Sequence, residues 1–513
     1  MLLCALATAA MLVAILPDHG LWYLTPVALI PLFFVLPDLS CGRGFLAGWL
    51  AGTLANMGIF HWIVHTAVTM SEFPFALALL VLLAFAMYSG LPFGLLALVG
   101  RSLLKRRGAV WTVPAALVTL EFLWPNLFPW HLGNAYFRVP LLMQGMDLTG
   151  IYGGSFVSTA VAVAAATWLR GRNRGDRVPL SVPVAAAILV AAWTGYGAIR
   201  LQTLDRGESA PTLTLALVQP DITAEDKKRR DGKSRKALFA RLKGLTESAD
   251  LEGVDAVVWP EGAFSFYFAP DSEGRKGWTN IVQTSRRLVA MVRDLEKPLV
   301  FGSLTRPLNS RTRNSLVMLG SDGREVERYD KRVLLAFGEY MPLSDTFPFL
   351  KKKVKEVSDM VGGDRAVSFP VGPGRALGSI CYEAIFPTLT RQSLIETGSN
   401  LILNVTNDAW FGTSGAPAQH LMVQAPRTVE LRVPLVRLTE TGISAVIGPS
   451  GEFAYETELH ERRVDRVVIP MVDGSSVYRE VGDVFAWACV ALVIASLATG
   501  YFRRKKSLST RIG

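Results

Sequence analysis

The chain has 513 residues, half of them apolar, a formal net charge of +10 and only four cysteines. This length exceeds one ordinary domain. Because Cys381 is the only cysteine in the polar half, a disulfide framework or Cys-based metal site is excluded there. The excess of basic over acidic residues lies largely between apolar segments and in the C-terminal tail, so it does not favour a nucleic-acid partner. Residues 1–200 and 484–502 are apolar and residues 212–475 are mixed, which predicts membrane helices around one water-facing domain.

Eight stretches are apolar enough over a sufficient length to cross a bilayer, which takes about 20 residues. Seven of them precede the polar domain and form a predicted N-terminal bundle over residues 1–200, and one follows it. The first stretch has no basic segment ahead of it, so we expect a retained helix and not a cleaved signal peptide. The predicted spans are 1–16, 21–36, 43–65, 75–100, 108–124, 151–169, 178–198 and 483–502.

Basic residues between these spans predict the orientation of the chain. Nine lie in the loops after spans 2, 4 and 6, and only Arg138 lies after spans 1, 3 and 5. The tail, residues 503–513, is also basic and lies on the same predicted side of the membrane as these nine residues. Both termini are therefore expected in the cytoplasm and the polar domain outside it, in the periplasm of a Gram-negative cell. The nine are Arg43, Arg101, Lys105, Arg106, Arg107, Arg170, Arg172, Arg174 and Arg177.

The polar domain, residues 212–470, alternates short apolar runs with amphipathic stretches. Runs rich in β-branched residues predict strands, and the stretches between several of them predict helices at 233–249, 279–296 and 418–432. This alternation predicts an α/β layered sheet, in which chemistry collects where strands end. The predicted strands are 212–219, 254–259, 298–304, 314–319, 376–381, 401–406 and 435–447.

Three reactive side chains follow or end such strands: Glu261, Lys331 and Cys381. A carboxylate, an ammonium and a thiol can supply a base, an oxyanion partner and a nucleophile for acyl transfer through a thioester. A lone cysteine at a strand end is more often a small buried apolar residue. Its two charged companions favour the catalytic interpretation. His420 offers a conceivable Cys–His pair, but we expect it to be structural because the other three already supply the chemistry.

The chain resembles a known family in a series of ordered motifs. Residues 212–470 resemble the nitrilase, or carbon–nitrogen hydrolase, superfamily, and the whole chain resembles the apolipoprotein N-acyltransferase family of the bacterial inner membrane. The resemblance implies an αββα sandwich beside the membrane helices. The motifs are Trp259-Pro260-Glu261, Tyr329-Asp330-Lys331-Arg332, Phe337-Gly338-Glu339-Tyr340-Met341-Pro342, Cys381-Tyr382-Glu383, Asn407-Asp408-Ala409-Trp410-Phe411-Gly412, Gln419-His420 and Thr441-Gly442-Ile443-Ser444.

The resemblance also implies a role for each site residue. Glu261 is the expected general base, Lys331 the oxyanion-stabilising cation and Cys381 the nucleophile. Glu339 is a supporting second glutamate, and Tyr382 and Glu383 line the site. Neither a metal nor another cofactor is expected.

The implied reaction moves an acyl chain from a membrane phospholipid, with phosphatidylethanolamine as the expected donor, onto Cys381. The chain then passes to the α-amino group of the N-terminal diacylglyceryl-cysteine of an apolipoprotein, which completes the maturation of a bacterial lipoprotein. We expect a multi-pass inner-membrane protein with a periplasmic catalytic domain. Two rivals share the sequence features: a membrane-tethered amidase acting on a small amide, and a lipoprotein-binding scaffold without activity.

Two apolar segments, residues 263–269 and 343–350, are predicted to dip into the outer leaflet and admit acyl chains. Residues 351–355, with four lysines, form a basic face that could meet anionic headgroups. The chain departs from the family pattern at two places. It has Lys227-Lys228-Arg229-Arg230 where relatives often carry a tryptophan, and Glu440 where they often carry asparagine.

Overall fold

The computed structural model describes residues 1–71, 73–176, 179–204, 210–229, 231–272, 277–307, 310–342, 359–472 and 474–512. The chain divides into two compact units. A helical unit comprises Met1–Leu204, Val429–Leu431 and Ser475–Gly513, and a second unit comprises Asp205–Thr428 and Arg432–Gly474.

The helical unit contains three described helices that are long and apolar enough to cross a membrane: Phe75–Leu103, Tyr152–Arg174 and Ser181–Thr203. The second predicted span, 21–36, is not one α-helix: Pro26 lies in a 3₁₀ turn, and Pro31 stands in the first turn of the short helix Ile30–Val35. It consists of two 3₁₀ turns, Trp22–Val27 and Leu36–Asp38, around a short helix. The α-helices of this unit are Leu2–Ala14, Ile30–Val35, Cys41–Ile59, Trp62–Ser71, Phe75–Leu103, Ala109–Leu123, Pro140–Met143, Met146–Thr149, Tyr152–Arg174, Ser181–Thr203, Val477–Val481 and Val484–Ile512.

Glycines allow two of these helices, Cys41–Ile59 and Phe75–Leu103, to approach each other closely. A Cβ on Gly52 would stand 2.8 Å from the Gly90 carbonyl oxygen, so no larger residue fits there. Small residues at such contacts are typical of helix packing in membranes. Leu80 and Ile188 are 60% and 62% exposed on the outer surface of the unit, as apolar side chains facing lipid would be.

The second unit contains two six-stranded sheets. The first has the order β12-β1-β2-β3-β4-β5 and the second β11-β10-β9-β8-β7-β6. The strands are β1 Thr212–Gln219, β2 Ala256–Tyr267, β3 Leu299–Thr305, β4 Arg313–Leu319, β5 Glu325–Asp330, β6 Ser368–Val371, β7 Gly374–Ile380, β8 Leu401–Thr406, β9 Leu435–Thr439, β10 Ala445–Ile447, β11 Phe453–Glu456 and β12 Arg463–Pro470. The remaining helices are Ala224–Lys228, Gly232–Glu247, Thr279–Leu295, Pro387–Thr397, Ala416–Gln424 and Pro426–Leu431.

The two sheets pack face to face, with helices on their outer faces. Leu215 and Val258 of the first sheet share an apolar core with Leu403 and Val436 of the second. On its other face, the first sheet packs Trp259 and its neighbours against the helices Gly232–Glu247 and Thr279–Leu295. Helix Pro387–Thr397 packs on β7 of the second sheet. The result is the αββα sandwich that the resemblance implied.

Strand direction brings several strand ends to one edge of this sandwich. Strands β7, β8 and β9 are parallel to one another, and so are β1, β2 and β3. Strand β4 is antiparallel to both β3 and β5, so β5 runs in the same direction as β3. The carboxyl ends of β5, β7, β8 and β9 are therefore expected to carry the site residues, together with Glu261 within β2.

Two predictions about this domain were wrong. Residues 263–269 are not a membrane-dipping loop, because β2 continues to Tyr267 and Phe264 and Phe268 are buried against Phe301. The predicted strand 435–447 is instead the antiparallel pair β9 and β10, joined by a turn that contains Glu440. The other predicted apolar segment, 343–350, and the basic residues 351–355 lie outside the described residues.

Candidate active site

Cys381 lies at a sharp turn directly after β7. Its φ of +57° is in the left-handed region, which costs a non-glycine residue about 1 to 3 kcal/mol and needs support from its surroundings. That support comes from two amide side chains that donate to its carbonyl oxygen, Asn404 Nδ2 at 2.9 Å and Gln424 Nε2 at 3.2 Å. Cys381 as a whole residue is partly exposed. The strained turn therefore places the cysteine at the end of its strand, at the edge of the sheet.

Lys331 is the only cation of a buried polar group that we call the Lys331 cluster: Glu261, Asn314, Lys331 and Glu339. The lysine is 2% exposed, and its Nζ lies 2.9 Å from Glu339 Oε2 and 3.6 Å from Glu261 Oε1. Asn314 Nδ2 donates to both carboxylates, at 2.7 and 2.8 Å. The backbone N–H of Asn407, after β8, donates to Glu261 Oε2 at 2.9 Å. Residues from both sheets therefore fix the two carboxylates around one ammonium.

The charges of this cluster set the resting protonation of the site. Burial opposes the charged form of Lys331, but the nearby glutamates, and the Cys381 sulfur once it is ionised, outweigh this effect and raise the lysine pKa well above its usual range. Burial raises the pKa of the Cys381 thiol to about 12; Glu261 adds to this increase and Lys331 opposes it. At neutral pH the site therefore holds an ammonium and a protonated thiol, which must transfer its proton to a base before it attacks.

Glu383 directly follows Tyr382 and is only 2% exposed. Its buried carboxylate accepts backbone N–H groups from Arg332 at 2.7 Å, Val333 at 2.9 Å and Ile380 at 2.9 Å. The hydroxyl of Tyr329 donates to both of its oxygens at 2.9 Å. Arg332 directly follows Lys331, and Ile380 directly precedes Cys381. One carboxylate thus ties the lysine loop of the first sheet to the cysteine turn of the second, and we call this arrangement the Glu383 anchor.

Tyr382 lies beside the ammonium. Its hydroxyl donates to the Leu334 carbonyl oxygen at 2.7 Å, and its ring lies 5.5 Å from Lys331 Nζ, within cation–π distance. This ring therefore forms part of the immediate surroundings of Lys331.

His420 is part of a separate buried network with Asp408, Gln424 and Arg437. Its Nδ1 lies 3.2 Å from Asp408 Oδ1, and its Nε2 lies 2.8 Å from the Gln424 amide nitrogen. Arg437 donates to Asp408 Oδ2 at 2.7 Å and to Gln424 Oε1 at 2.9 Å. Because the Gln424 oxygen accepts from Arg437, the Gln424 NH₂ group faces His420 Nε2 and donates to it. We therefore assign the His420 ring as neutral, with its proton on Nδ1. The network holds Gln424 against the Cys381 carbonyl, which is a structural role for His420.

Sequence reasoning did not assign Asn314 or Asn407 to the site, nor did it pair Glu440 with Lys227. Asn314 is a buried polar residue next to the apolar run Leu316–Leu319 of β4, which is a usable signal. Glu440 is fully buried in the turn between β9 and β10, and its Oε2 lies 2.6 Å from Lys227 Nζ. The two departures from the family pattern thus contact each other. Burial raises the Glu440 pKa to about 7, against the opposing effect of Lys227.

Two family models match the chain. Residues 214–478 match the carbon–nitrogen hydrolase family, and residues 8–166 match the apolipoprotein N-acyltransferase N-terminal domain. The described polar unit is therefore a carbon–nitrogen hydrolase domain, as the motifs indicated.

Curated relatives resemble the chain over nearly its whole length. The apolipoprotein N-acyltransferase of Geobacter metallireducens is 33% identical over 98% of this chain and 95% of its own. That of Bdellovibrio bacteriovorus is 30% identical over 84% of this chain and 80% of its own. A solved variant of the amidase from Nesterenkonia sp. AN1 covers 52% of this chain and 96% of its own, at 18% identity and a TM-score of 0.37. The chain belongs to the apolipoprotein N-acyltransferase family.

Proposed function

We propose that this protein transfers an acyl chain from a membrane phospholipid, through a thioester on Cys381, to the α-amino group of the N-terminal diacylglyceryl-cysteine of apolipoproteins. The observation that carries the proposal is the buried Lys331 ammonium, 3.6 Å from Glu261 in a site that also holds the strained Cys381 turn. Membership of the apolipoprotein N-acyltransferase family, together with the apolar helices, supports the proposal that the acyl donor and the acyl acceptor are both anchored in a bilayer.

In the first step, Glu261 accepts the Cys381 thiol proton while the sulfur attacks the ester carbonyl carbon of the phospholipid. The developing oxyanion is stabilised by the Lys331 ammonium, with the backbone N–H of Tyr382 as the second donor that we propose. The carbon–oxygen bond then breaks, and Glu261 returns the proton to the leaving lysophospholipid oxygen. A base is required because the resting thiol holds its proton at neutral pH.

In the second step, the neutral α-amine of the acceptor attacks the thioester carbonyl carbon. The carbon–sulfur bond breaks as the amide bond forms. Glu261 takes the proton that the amine loses and delivers it to the Cys381 sulfur, which restores the thiol. Glu339 keeps Lys331 in place throughout, since its carboxylate lies 2.9 Å from the ammonium.

We propose phosphatidylethanolamine as the acyl donor, and a chain of eight membrane spans in the bacterial inner membrane. Residues 1–200 form seven of these spans and residues 483–502 the eighth, with the basic tail 503–513 and both termini in the cytoplasm. Residues 212–470 then form a periplasmic catalytic domain. The basic loops between the apolar segments support this orientation.

A labelling experiment tests the orientation. In chains whose four native cysteines are replaced by serine, Glu458→Cys should react with a membrane-impermeant maleimide on spheroplasts. Lys105→Cys should react only after the cells are lysed. The reverse pattern would place the catalytic domain in the cytoplasm and contradict the proposed topology.

Intact-protein mass spectrometry tests the reaction itself. Purified wild type incubated with phosphatidylethanolamine should gain the mass of one acyl chain, and Cys381→Ala should gain none. A diacylglyceryl-cysteine peptide should remove the added mass and gain it. A folded wild type that releases ammonia from soluble amides without an acyl adduct would instead favour the tethered amidase.

A further inference from the structure

A second buried carboxylate lies beside the catalytic one. Glu440 is fully buried, and only one of its oxygens, Oε2, has an ionic contact, with Lys227 Nζ at 2.6 Å. Its other oxygen, Oε1, has no hydrogen-bond partner among the described residues. A Cβ built on Gly262 would lie 3.2 Å from Lys227 Nζ, so the ammonium stands directly over the residue after Glu261.

The charged groups that act on Glu440 are Lys227, Glu261 and Asp226. Glu261 also acts on Cys381, so both Glu440 and the thiol lie within the electrostatic reach of one carboxylate. A buried carboxylate with one oxygen unpaired is costly unless a cation or a hydrogen-bond donor approaches it. Lys227 supplies one such cation, on a side chain that is 20% exposed and belongs to the five-residue helix Ala224–Lys228.

The acceptor of the proposed reaction carries a cation of the same chemistry. A free α-amino group has a pKa of about 8 and is largely protonated at neutral pH, so it must lose a proton before it can attack a thioester. Burial raises the Glu440 pKa to about 7, which allows this carboxyl to take up and release a proton near neutrality.

We propose that Glu440 is the acceptor-amine site. Its carboxylate binds the α-ammonium of the incoming cysteine and removes one proton from it. In the resting protein, Lys227 occupies the place of that ammonium. This inference rests on the proposed function and adds a catalytic residue to its second step. Glu440 and the ammonium give the protonated carboxyl and a neutral amine. The amine then attacks the thioester as described above, and the Glu440 carboxyl returns its proton to solvent.

The test isolates the second step. Wild type, Glu440→Gln and Glu440→Asp are first converted to acyl-enzyme with phosphatidylethanolamine, then mixed with diacylglyceryl-cysteine peptide, and the decay of the thioester is followed by mass. Acyl-enzyme should form at similar rates in all three. Aminolysis should fall about 30-fold in Glu440→Gln at pH 7 and only about threefold at pH 9, where the amine is already neutral. Glu440→Asp should recover part of the loss.

Two controls separate this role from a structural one. Hydroxylamine is uncharged at pH 7 and should cleave the thioester of wild type and Glu440→Gln equally fast. Glu452→Gln, the same substitution at an exposed glutamate in the turn before β11, should behave as wild type at every pH. An equal loss toward hydroxylamine, a loss that persists at pH 9, or a Glu440→Gln protein that forms no acyl-enzyme would each overturn the inference. Absence of acyl-enzyme in the wild type would instead refute the proposed function.

Discussion

The Lys331 cluster and the Glu383 anchor both bury carboxylates at the same edge of the sandwich, but they hold them with different donors. Glu261 and Glu339 are bound mainly by the side chains of Lys331 and Asn314. Glu383 is bound by three backbone N–H groups and one tyrosine hydroxyl. A side-chain ammonium can shift towards a new negative charge during a reaction. A backbone N–H group neither titrates nor moves without its loop.

This difference separates chemistry from placement. In the proposed reaction the cluster carries the charges that change during acyl transfer, whereas the anchor fixes the backbone on either side of those charges. Substitutions in the cluster should therefore change rates more than stability, and substitutions in the anchor should change stability more than rates. Two variants test this separation, beginning with the larger effect.

Lys331→Met should slow acyl-enzyme formation by about 1,000-fold, because the oxyanion loses its cation in a site shielded from water. The methionine keeps the length of the aliphatic chain, so the apolar packing around it should be retained. We therefore expect the melting temperature in detergent to change little. Intact mass measured against time gives the rate, and a thermal melt gives the stability.

Lys243→Met is the matched control, since Lys243 forms a half-exposed ion pair with Glu247 on an outer helix. It should leave both measurements unchanged. If Lys331→Met retained the wild-type rate, the cation would have no part in the reaction. If Lys331→Met instead unfolded the domain, the Lys331 cluster would be as structural as the Glu383 anchor, and the comparison would fail.

The sequence predicted the catalytic strands well where apolar residues alternate in short runs. Strand β1 was predicted to the residue at 212–219, and Glu261, Lys331 and Cys381 were selected because reactive side chains collect where strands end and loops begin. Strand β5, Glu325–Asp330, was not predicted, because it is mostly polar and Tyr329 is its only buried residue. It is nevertheless the strand that delivers Lys331, so the lysine was located by its motif and not by periodicity.

Other features depend on contacts that no local pattern encodes. Alternating phenylalanines in residues 263–269 fit a membrane-dipping loop and a buried aromatic strand equally well, and only the partner Phe301 distinguishes them. The resemblance implied that Glu383 lines the site, and its four donors come from two segments, residues 329–333 and Ile380. Glu440 and Lys227 lie in different halves of the sandwich sequence. Their pairing becomes visible only once the strands are assembled.

Glu383→Gln should have the smaller effect on rate and the larger effect on stability. The glutamine amide retains one acceptor oxygen. Its NH₂ group, however, faces N–H or O–H donors whose hydrogen bonds the second carboxylate oxygen accepts in the wild type. Leaving such donors unpaired in a buried position should destabilise the domain by about 2 to 3 kcal/mol. The folded fraction should still form acyl-enzyme, at a rate about tenfold lower, because the loops that carry Lys331 and Cys381 are less well aligned. Melting temperature and rate measured on one preparation, beside Glu396→Gln on the exposed face of helix Pro387–Thr397, separate the two effects. Glu383→Gln could instead lose as much rate as Lys331→Met while its melting temperature stays unchanged. That result would mean that Glu383 takes part in the chemistry, and that backbone donors do not confine a buried carboxylate to a structural role.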